Sequence, residues 1–512
     1  MESRLVAVLE IGSTGIRLLV AEILPLAEGL WRVVDQAGKP VALGQDVFTS
    51  GEISRESLLE CISVLQIYRE LLRGWNIRDE DVHIIATSAL RAARNRDVFA
   101  DRVRHETGFA LSIVEGVEEN RLMYLAVRFA LKQDFPVFWR ANSMIIEIGG
   151  GSTEIMLLRR GTMVAAHSLK LGTILIDQQS RLGAGSGRFH ERFLNENIRN
   201  TAGFLSAEMD LAHVRTFVVA GSDARLASYL AGTELNENCR IIERKSFISF
   251  AEQIKNYSVE ECVRKLQISY SHAEGLILSL MVYKFFLEQT HAAQVVVPLV
   301  SIREGCLIDL TMGVDSELQE EFFSQSIASA MNLGRRYHFD EAHGRHVANL
   351  CILLFDALAR EHGMDRRDRM MLEAAAILHD IGMYIKGSGH HKHGQYIVAN
   401  SEIFGLHREE LDVIANVIRY HRGGPPSEGD IEYISLSRED RIRVLKMAAI
   451  LRVADALDRG HTQGVKQISL ERKGETLMIH TEGVRDLTLE LIGIEQKADL
   501  FQDVFGYKIV LT

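Results

Sequence analysis

Two short stretches combine an acidic residue, glycines and hydroxyls in a way that suits a chain of phosphates. One is Glu147-Ile-Gly-Gly-Gly-Ser-Thr-Glu154, set between apolar runs of strand type at 143–146 and 155–158. The other is Glu10-Ile-Gly-Ser-Thr-Gly15, set between similar runs at 5–9 and 16–21. Glycine has no Cβ to keep an anion off the backbone, so its N–H groups can turn inward on phosphate oxygens. Ser152 and Thr153 add hydroxyl donors. Glu147 stands at a strand end, where a carboxylate can hold a magnesium ion bridging to phosphate oxygens, and Glu10 offers the matching group. A ligand-free glycine turn explains either stretch alone. The whole plan occurs twice, however, and this points to two similar half-domains facing each other across a cleft.

Three further sets of residues bear on chemistry. Arg91 stands near a predicted helix start after the apolar run 82–86, a place where an anion is met; a solvated basic face explains it equally well. Arg94 and Asn95 fall on the same predicted helix. Glu118 and Glu119 fall in the first turn of another predicted helix, where the helix dipole favours carboxylates without any function; aimed into a cleft, one of them can align and deprotonate water. Arg17, inside a strand between Ile16 and Leu18, either needs a partner there or alternates outward to solvent, the second at least as well supported. Histidines concentrate beyond residue 315. The apolar segment 370–378 runs straight into His379-Asp380, a polar pair that burial obliges to find a partner or a metal. His343, His393, His421 and Asp455 are the other candidates, and such N/O donors suit Mn, Fe, Mg or Zn. His338, His362 and His407 read as capping or core residues.

The elements that must position these residues form an α/β chain in more than one part. At 512 residues the chain is too long for one core, and about 150 residues per domain implies three or four domains. Ser54 reads as an N-cap, with helical spacing to residue 73. Strands are predicted at 82–86, 111–114, 163–171, 216–220 and 294–298, with helices near 190–210, 224–230, 272–288 and 306–311. Small residues at Gly221-Ser-Asp223 sit between strand and helix. From about residue 315 the pattern turns helical, placing a boundary at 312–320. Leu445 to Leu457 is a further apolar helix carrying Asp455. Residues 465–512 alternate, with Leu487, Leu489 and Leu491 in phase, and so read as strands of a small α/β unit. A net charge of −11 argues against general nucleic-acid binding. The five scattered cysteines form no CxxC pair, which fits a reducing cytosol. No signal peptide and no apolar run of about 18 residues is seen, so no membrane span is expected.

Taken together, Glu10 to Leu18, Thr87-Ser-Ala-Leu-Arg91, Glu118 to Leu125, Glu147 to Glu154 and Ile302-Arg-Glu-Gly305 resemble, in this order, the exopolyphosphatase / guanosine pentaphosphate phosphohydrolase (Ppx/GppA) family. Leu378-His-Asp-Ile-Gly382, His390-His-Lys-His393, Tyr420-His-Arg422 and Leu451 to Asp458 are similar to the HD-type domain of its long members. The resemblance implies two actin-like ATPase (ribonuclease H-like) half-domains at 1–133 and 134–315. It further implies an all-α HD-type domain at 316–463 and a small α/β C-terminal unit at 464–512. It implies a cytoplasmic, magnesium-dependent exopolyphosphatase, with guanosine pentaphosphate phosphohydrolase as the alternative, and a homodimer. Glu119 takes the catalytic position. Gly12, Ser13, Thr14, Gly149, Gly150, Gly151, Ser152 and Thr153 form the phosphate loops, with Arg91 as a further phosphate contact. Glu10 and Glu147 would hold Mg2+. His343, His379, Asp380 and Asp455 would hold a second divalent metal. The family usually has Asp where Glu10 and Glu147 stand, and each Glu reaches ~1.5 Å further. Two rivals remain: chemistry centred on the helical domain, and a polyphosphate- or alarmone-binding regulator with a weakened site.

Overall fold

The computed structural model describes residues 4–24, 31–131, 140–182, 187–312, 316–427, 429–481 and 486–512. The chain divides into two compact units, residues 1–320 and 321–512.

The first unit repeats one sheet plan. Strands β1 (Arg4–Gly12), β2 (Gly15–Ile23), β3 (Trp31–Pro40), β4 (Val82–Ala86) and β5 (Leu111–Ile113) pair in the order β3-β2-β1-β4-β5. The first three form an antiparallel meander, and β4 and β5 run parallel to β1. Strands β6 (Ser143–Ile148), β7 (Thr153–Arg159), β8 (Thr162–Leu169), β9 (Thr216–Ala220), β10 (Thr233–Asn236), β11 (Cys239–Glu243) and β12 (Gln294–Pro298) form the second sheet, ordered β10-β11-β12-β9-β6-β7-β8. Its segment β8-β7-β6-β9-β12 has the same meander and the same parallel partners. The duplication expected from two glycine stretches therefore extends to whole sheets. Val6 to Leu9 and Phe217 to Ala220 are fully buried because their strands are covered on both faces, which is why they read as unbroken apolar runs.

Sequence signals placed most elements of this unit; helices Leu43–Ser50, Thr173–Leu182, Arg244–Ile254 and Val259–Leu266 and the hairpin β10–β11 lay out of reach. Ser54 caps the helix Arg55–Gly74 by accepting from the Ser57 amide. The helix expected to carry Arg91, Arg94 and Asn95 together is two helices, Ser88–Ala92 and Arg96–Thr107, broken at Ala93 with Asn95 as the second N-cap. Helices Leu43–Ser50 and Thr173–Leu182 follow loops directly and carried no start signal. The hairpin β10–β11 is short and lies at the sheet edge. Helix Ser222–Ala231 begins two residues earlier than expected, so Asp223 sits in its first turn and not in the loop.

The second unit is mostly helical. Helices Glu341–Ala357, Arg366–Leu378, Arg408–Tyr420 and Arg438–Ala456 enclose one core of buried aliphatic side chains. Strands β13 (Ile468–Lys473), β14 (Thr476–Thr481) and β15 (Lys508–Leu511) form a small sheet whose Leu477, Ile479, Ile509 and Leu511 join that same core. Leu487, Leu489 and Leu491 are not strand residues: Leu487 caps the helix Thr488–Lys497, which contains the other two. Leu489 and Leu491 are exposed, so their alternation reflected no buried face. His362 and His407 are structural, as expected. His362 bonds the Phe355 carbonyl at 2.8 Å, and His407 caps the helix Arg408–Tyr420.

Candidate active site

The tips of the two glycine hairpins meet. A Cβ on Gly150 would lie 2.7 Å from Ser13 Cβ, so only glycine lets the loops approach this closely. Ser13 is buried, and its Oγ lies 3.1 Å from Ser88 Oγ, which ties the first tip to the start of the next helix. The second loop is braced from behind. Thr173 N donates to Gly149 O (3.0 Å) and Ile174 N to Gly150 O (2.9 Å), so loop carbonyls cap the helix Thr173–Leu182. The backbone N–H groups of Ser13, Thr14, Gly150 and Ser152 have no backbone acceptor among the described residues. Free amides, glycine and hydroxyls at a shared tip are the makings of an anion cradle.

Above the tips lies a cavity of about 1210 Å³. Gly12, Ser13, Thr14, Gly149, Gly150 and Ser152 line it, together with Glu10, Glu119, Glu147 and Glu154. Two expected phosphate contacts lie behind it. Gly151 packs on Phe48, where a Cβ would stand 2.1 Å from the ring, and the Thr153 hydroxyl donates to the Leu171 carbonyl. Arg91 is also set back. Its guanidinium is engaged by the Glu119 carboxylate and by the Val114 carbonyl at 2.6 Å, and it is absent from the lining.

Four carboxylates converge here and their surroundings differ. Glu10 is flanked by Arg17 Nη1 at 3.3 Å and Arg303 Nε at 3.4 Å. Glu119 is buried against Arg91, and burial raises its carboxyl against the pull of that guanidinium. Glu154 is buried and accepts from Ser168 Oγ (2.8 Å) and Asn120 Nδ2 (3.0 Å). Burial, then the Glu119 charge, lifts its carboxyl well above the usual range. The Glu147 carboxylate makes no hydrogen bond or ion pair among the described residues. Burial, with Glu119 and Glu10 nearby, pushes its carboxyl up to about 8. A half-buried carboxylate without a partner, opening on the cavity among other carboxylates, is a fitting place for a hard divalent ion such as Mg2+.

Reading residue by residue missed Arg17, Glu154 and Arg303. Arg17 does not point to solvent; it faces the cavity and donates to Thr14 Oγ1 at 3.1 Å. Strand register held the signal for two of the three. Glu10 pairs with Arg17 across β1–β2, and Glu147 with Glu154 across β6–β7, so each pair shares a sheet face. Arg303 reaches Glu10 from a distant helix and left no such signal. Asp223 lines the cavity too, its carboxylate accepting from Ser279 Oγ.

In the second unit His343, His379, Asp380 and Asp455 come together as expected. His343 Nε2 lies 3.2 Å from His379 Nε2 and 3.8 Å from Asp455 Oδ1. Asp455 Oδ2 is held by the Lys497 ammonium. His393 stands outside the cluster; His390 and His421 occupy the places beside Asp380.

Comparison with known proteins gives these features a family. The model of the Ppx/GppA phosphatase family matches residues 22–312, and that of Ppx/GppA phosphatase domain III matches residues 327–491. A guanosine-5'-triphosphate,3'-diphosphate pyrophosphatase of Pseudoalteromonas atlantica is 23% identical over 88% of this chain and 86% of its own. One from Aliivibrio fischeri is 22% identical over 94% and 92%. Among solved structures, an exopolyphosphatase from Cytophaga hutchinsonii shares the fold with a TM-score of 0.54 and 17% identity, covering 60% of this chain and 98% of that one. The Ppx/GppA family member of Aquifex aeolicus has a TM-score of 0.50 and 22% identity, covering 61% and 98%. With one family model spanning more than half of its length, the chain belongs to the Ppx/GppA phosphatase family.

Proposed function

We propose that the chain is an exopolyphosphatase, releasing the terminal phosphate of inorganic polyphosphate by attack of water. The observation that carries this reading is the meeting of the two hairpin tips beneath a cavity lined by Glu119, Glu147 and Glu154. Phosphoryl transfer needs little beyond positioning and charge neutralisation. The amides and hydroxyls of Gly12, Ser13, Thr14, Gly149, Gly150 and Ser152 hold phosphate oxygens. Glu147, with Glu10 beside it, would hold Mg2+, which would supply positive charge to offset that of the phosphate chain. Glu119 orients the attacking water and takes its proton, with Arg91 fixing the carboxylate. Glu154, on the same face as Glu147, assists in ordering that water. Magnesium dependence, a cytoplasmic location and a homodimer belong to this reading. No helix among the described residues is long and apolar enough to cross a membrane.

A second reading, guanosine pentaphosphate phosphohydrolase, is favoured by the names of relatives that cover up to 99% of the chain. The same site serves both, since a 5'-triphosphate presents the same terminal anhydride. The deciding experiment measures phosphate release from long-chain polyphosphate and from guanosine pentaphosphate. It uses wild type, Glu119→Gln, and the double variant His379→Ala/Asp380→Ala. Loss confined to Glu119→Gln supports the cleft, and the preferred substrate of wild type selects between the readings. Loss confined to the double variant moves the chemistry to an HD-type centre. Tight ligand binding with no release by any of the three proteins leaves a regulator.

A further inference from the structure

The strongest unexplained group in the first unit is Arg225. It lies in the first turn of helix Ser222–Ala231, which follows strand β9 after the single residue Gly221. Gly221 has a φ of +99°, and a Cβ there would stand 3.4 Å from Glu147 Cγ. A residue without a side chain thus makes a tight left-handed turn beside the Glu147 carboxylate. The turn brings Arg225 to the wall of the cleft cavity. Carboxylates outnumber cations along that wall, so each free cation counts for a ligand made of phosphates.

The other arginines about the cleft are engaged by the protein. Arg17 donates to Glu10 Oε1 at 3.3 Å and to Thr14 Oγ1 at 3.1 Å. Arg303 Nε lies 3.2 Å from Ser301 Oγ and 3.4 Å from Glu10 Oε2. Arg91 is held by Glu119 and by the Val114 carbonyl. Lys39 also lines the cavity, but it is exposed and water serves its ammonium. The Arg225 guanidinium differs from all of these: the residue is half-buried, yet the group makes no hydrogen bond or ion pair among the described residues. Five N–H donors withdrawn from water without an acceptor cost free energy. Burial lowers this guanidinium from the ordinary arginine value; Glu304 and Glu10 draw it up, and Arg303 and Arg17 push it down. Both nearby acids are already taken. Glu304 accepts from Ser301 N at 2.8 Å and Ser301 Oγ at 2.6 Å, and Glu10 lies between Arg17 and Arg303. The protein therefore leaves the charge of Arg225 to be met by something in the cavity. A guanidinium fork matches two oxygens of a phosphate.

We infer that Arg225, reaching in from the second sheet, is the arginine that grips the phosphate chain in this cleft, a role that Arg91 gives up by turning to Glu119. The inference rests on the phosphate-cleft reading proposed above and adds to it a binding residue that neither glycine loop supplies. Such a group carries a cost in the free protein and returns it on binding, as functional residues commonly do.

Its test uses the full chain carrying Glu119→Gln, so that the probe, inorganic tripolyphosphate with Mg2+, is not consumed. Affinity is measured by titration calorimetry, and stability by urea unfolding with and without the probe. Adding Arg225→Gln should weaken binding by about 10–10²-fold, the worth of hydrogen bonds between charged groups. Arg225→Lys should recover only part of this, since it keeps the charge and loses the fork. In phosphate-free buffer Arg225→Gln should unfold at the same or a higher urea concentration, because it removes an unpaired cation; a structural role predicts the reverse. Equal affinity with and without Arg225→Gln overturns the inference. So does a lower unfolding midpoint of Arg225→Gln in phosphate-free buffer, and so does tripolyphosphate that fails to bind Glu119→Gln at all. Failure of the cleft reading shows elsewhere: wild type then releases no phosphate from polyphosphate or guanosine pentaphosphate, whatever affinity Arg225→Gln displays.

Discussion

Gly305→Ala tests whether the position of Glu119 depends on a helix far away in sequence. Gly305 lies in helix Ile302–Met312, packed against helix Gly116–Leu131, which carries Glu119 in its first turn. A Cβ on Gly305 would stand 2.0 Å from Leu122 O and 2.6 Å from Leu122 C. Ordinary contact begins near 3.4 Å, so the helices must part by about 1.4 Å. The obstacle is backbone, and no rotamer change relieves it. Two site residues move with the two helices: Glu119 on one, and on the other Arg303, which holds Glu10. A displacement of about 1 Å at a catalytic group costs on the order of 10²-fold in rate, and overpacking costs about 1–3 kcal/mol of stability. The assay pairs steady-state phosphate release with urea unfolding. A fall in kcat near 10²-fold together with an earlier unfolding midpoint is expected. Gly203→Ala is the control: a Cβ there meets nothing within 4 Å. Gly305→Ala with unchanged kcat and unchanged midpoint would refute the claim that this contact sets the site.

The remaining predictions are shorter. Glu119→Gln should lower kcat by about 10²–10⁴-fold with little change in KM, and wild-type turnover in this variant would remove Glu119 from the mechanism. Glu147 gives a pH signature in EDTA. Its folded carboxyl titrates at about 8 against an unfolded value of 4.5. The native state therefore disfavours the charged form, and stability falls as pH rises from 4.5 towards 8. Glu147→Gln should flatten that fall, and Mg2+ should offset it in wild type; identical pH profiles for the two proteins would sink the assignment. Arg452 is fully buried and donates to the Tyr420 carbonyl at 2.9 Å, to Asp499 and to the Gly423 carbonyl. Arg452→Met should cost about 1–3 kcal/mol for each stranded carbonyl, seen by calorimetry as earlier melting of the second unit. Ser54→Ala removes one N-cap and should cost about 1 kcal/mol in urea unfolding, with activity unchanged.

Local signals determined much of this protein. The strand β9 and the strand β12 were bounded correctly from unbroken apolar runs, because full burial on two faces leaves no room for polar residues. Ser54 announced its helix because a cap is chemistry among neighbours in the chain. The doubled strand, Glu-Ile-Gly, strand plan announced a doubled sheet. Tertiary structure decided what distance in sequence conceals. Arg91 was expected on phosphate and lies on Glu119, 28 residues away. Gly151 and Thr153 belong by motif to the loop, yet the packing of Phe48 and Leu171 places them behind it. His390, the first residue of helix His390–Ala399, took the position offered to His393, its Nε2 lying 3.0 Å from Asp380 Oδ1. Whether a polar side chain serves the fold or the site depends on which atom stands opposite it, and in this chain that atom usually comes from another element.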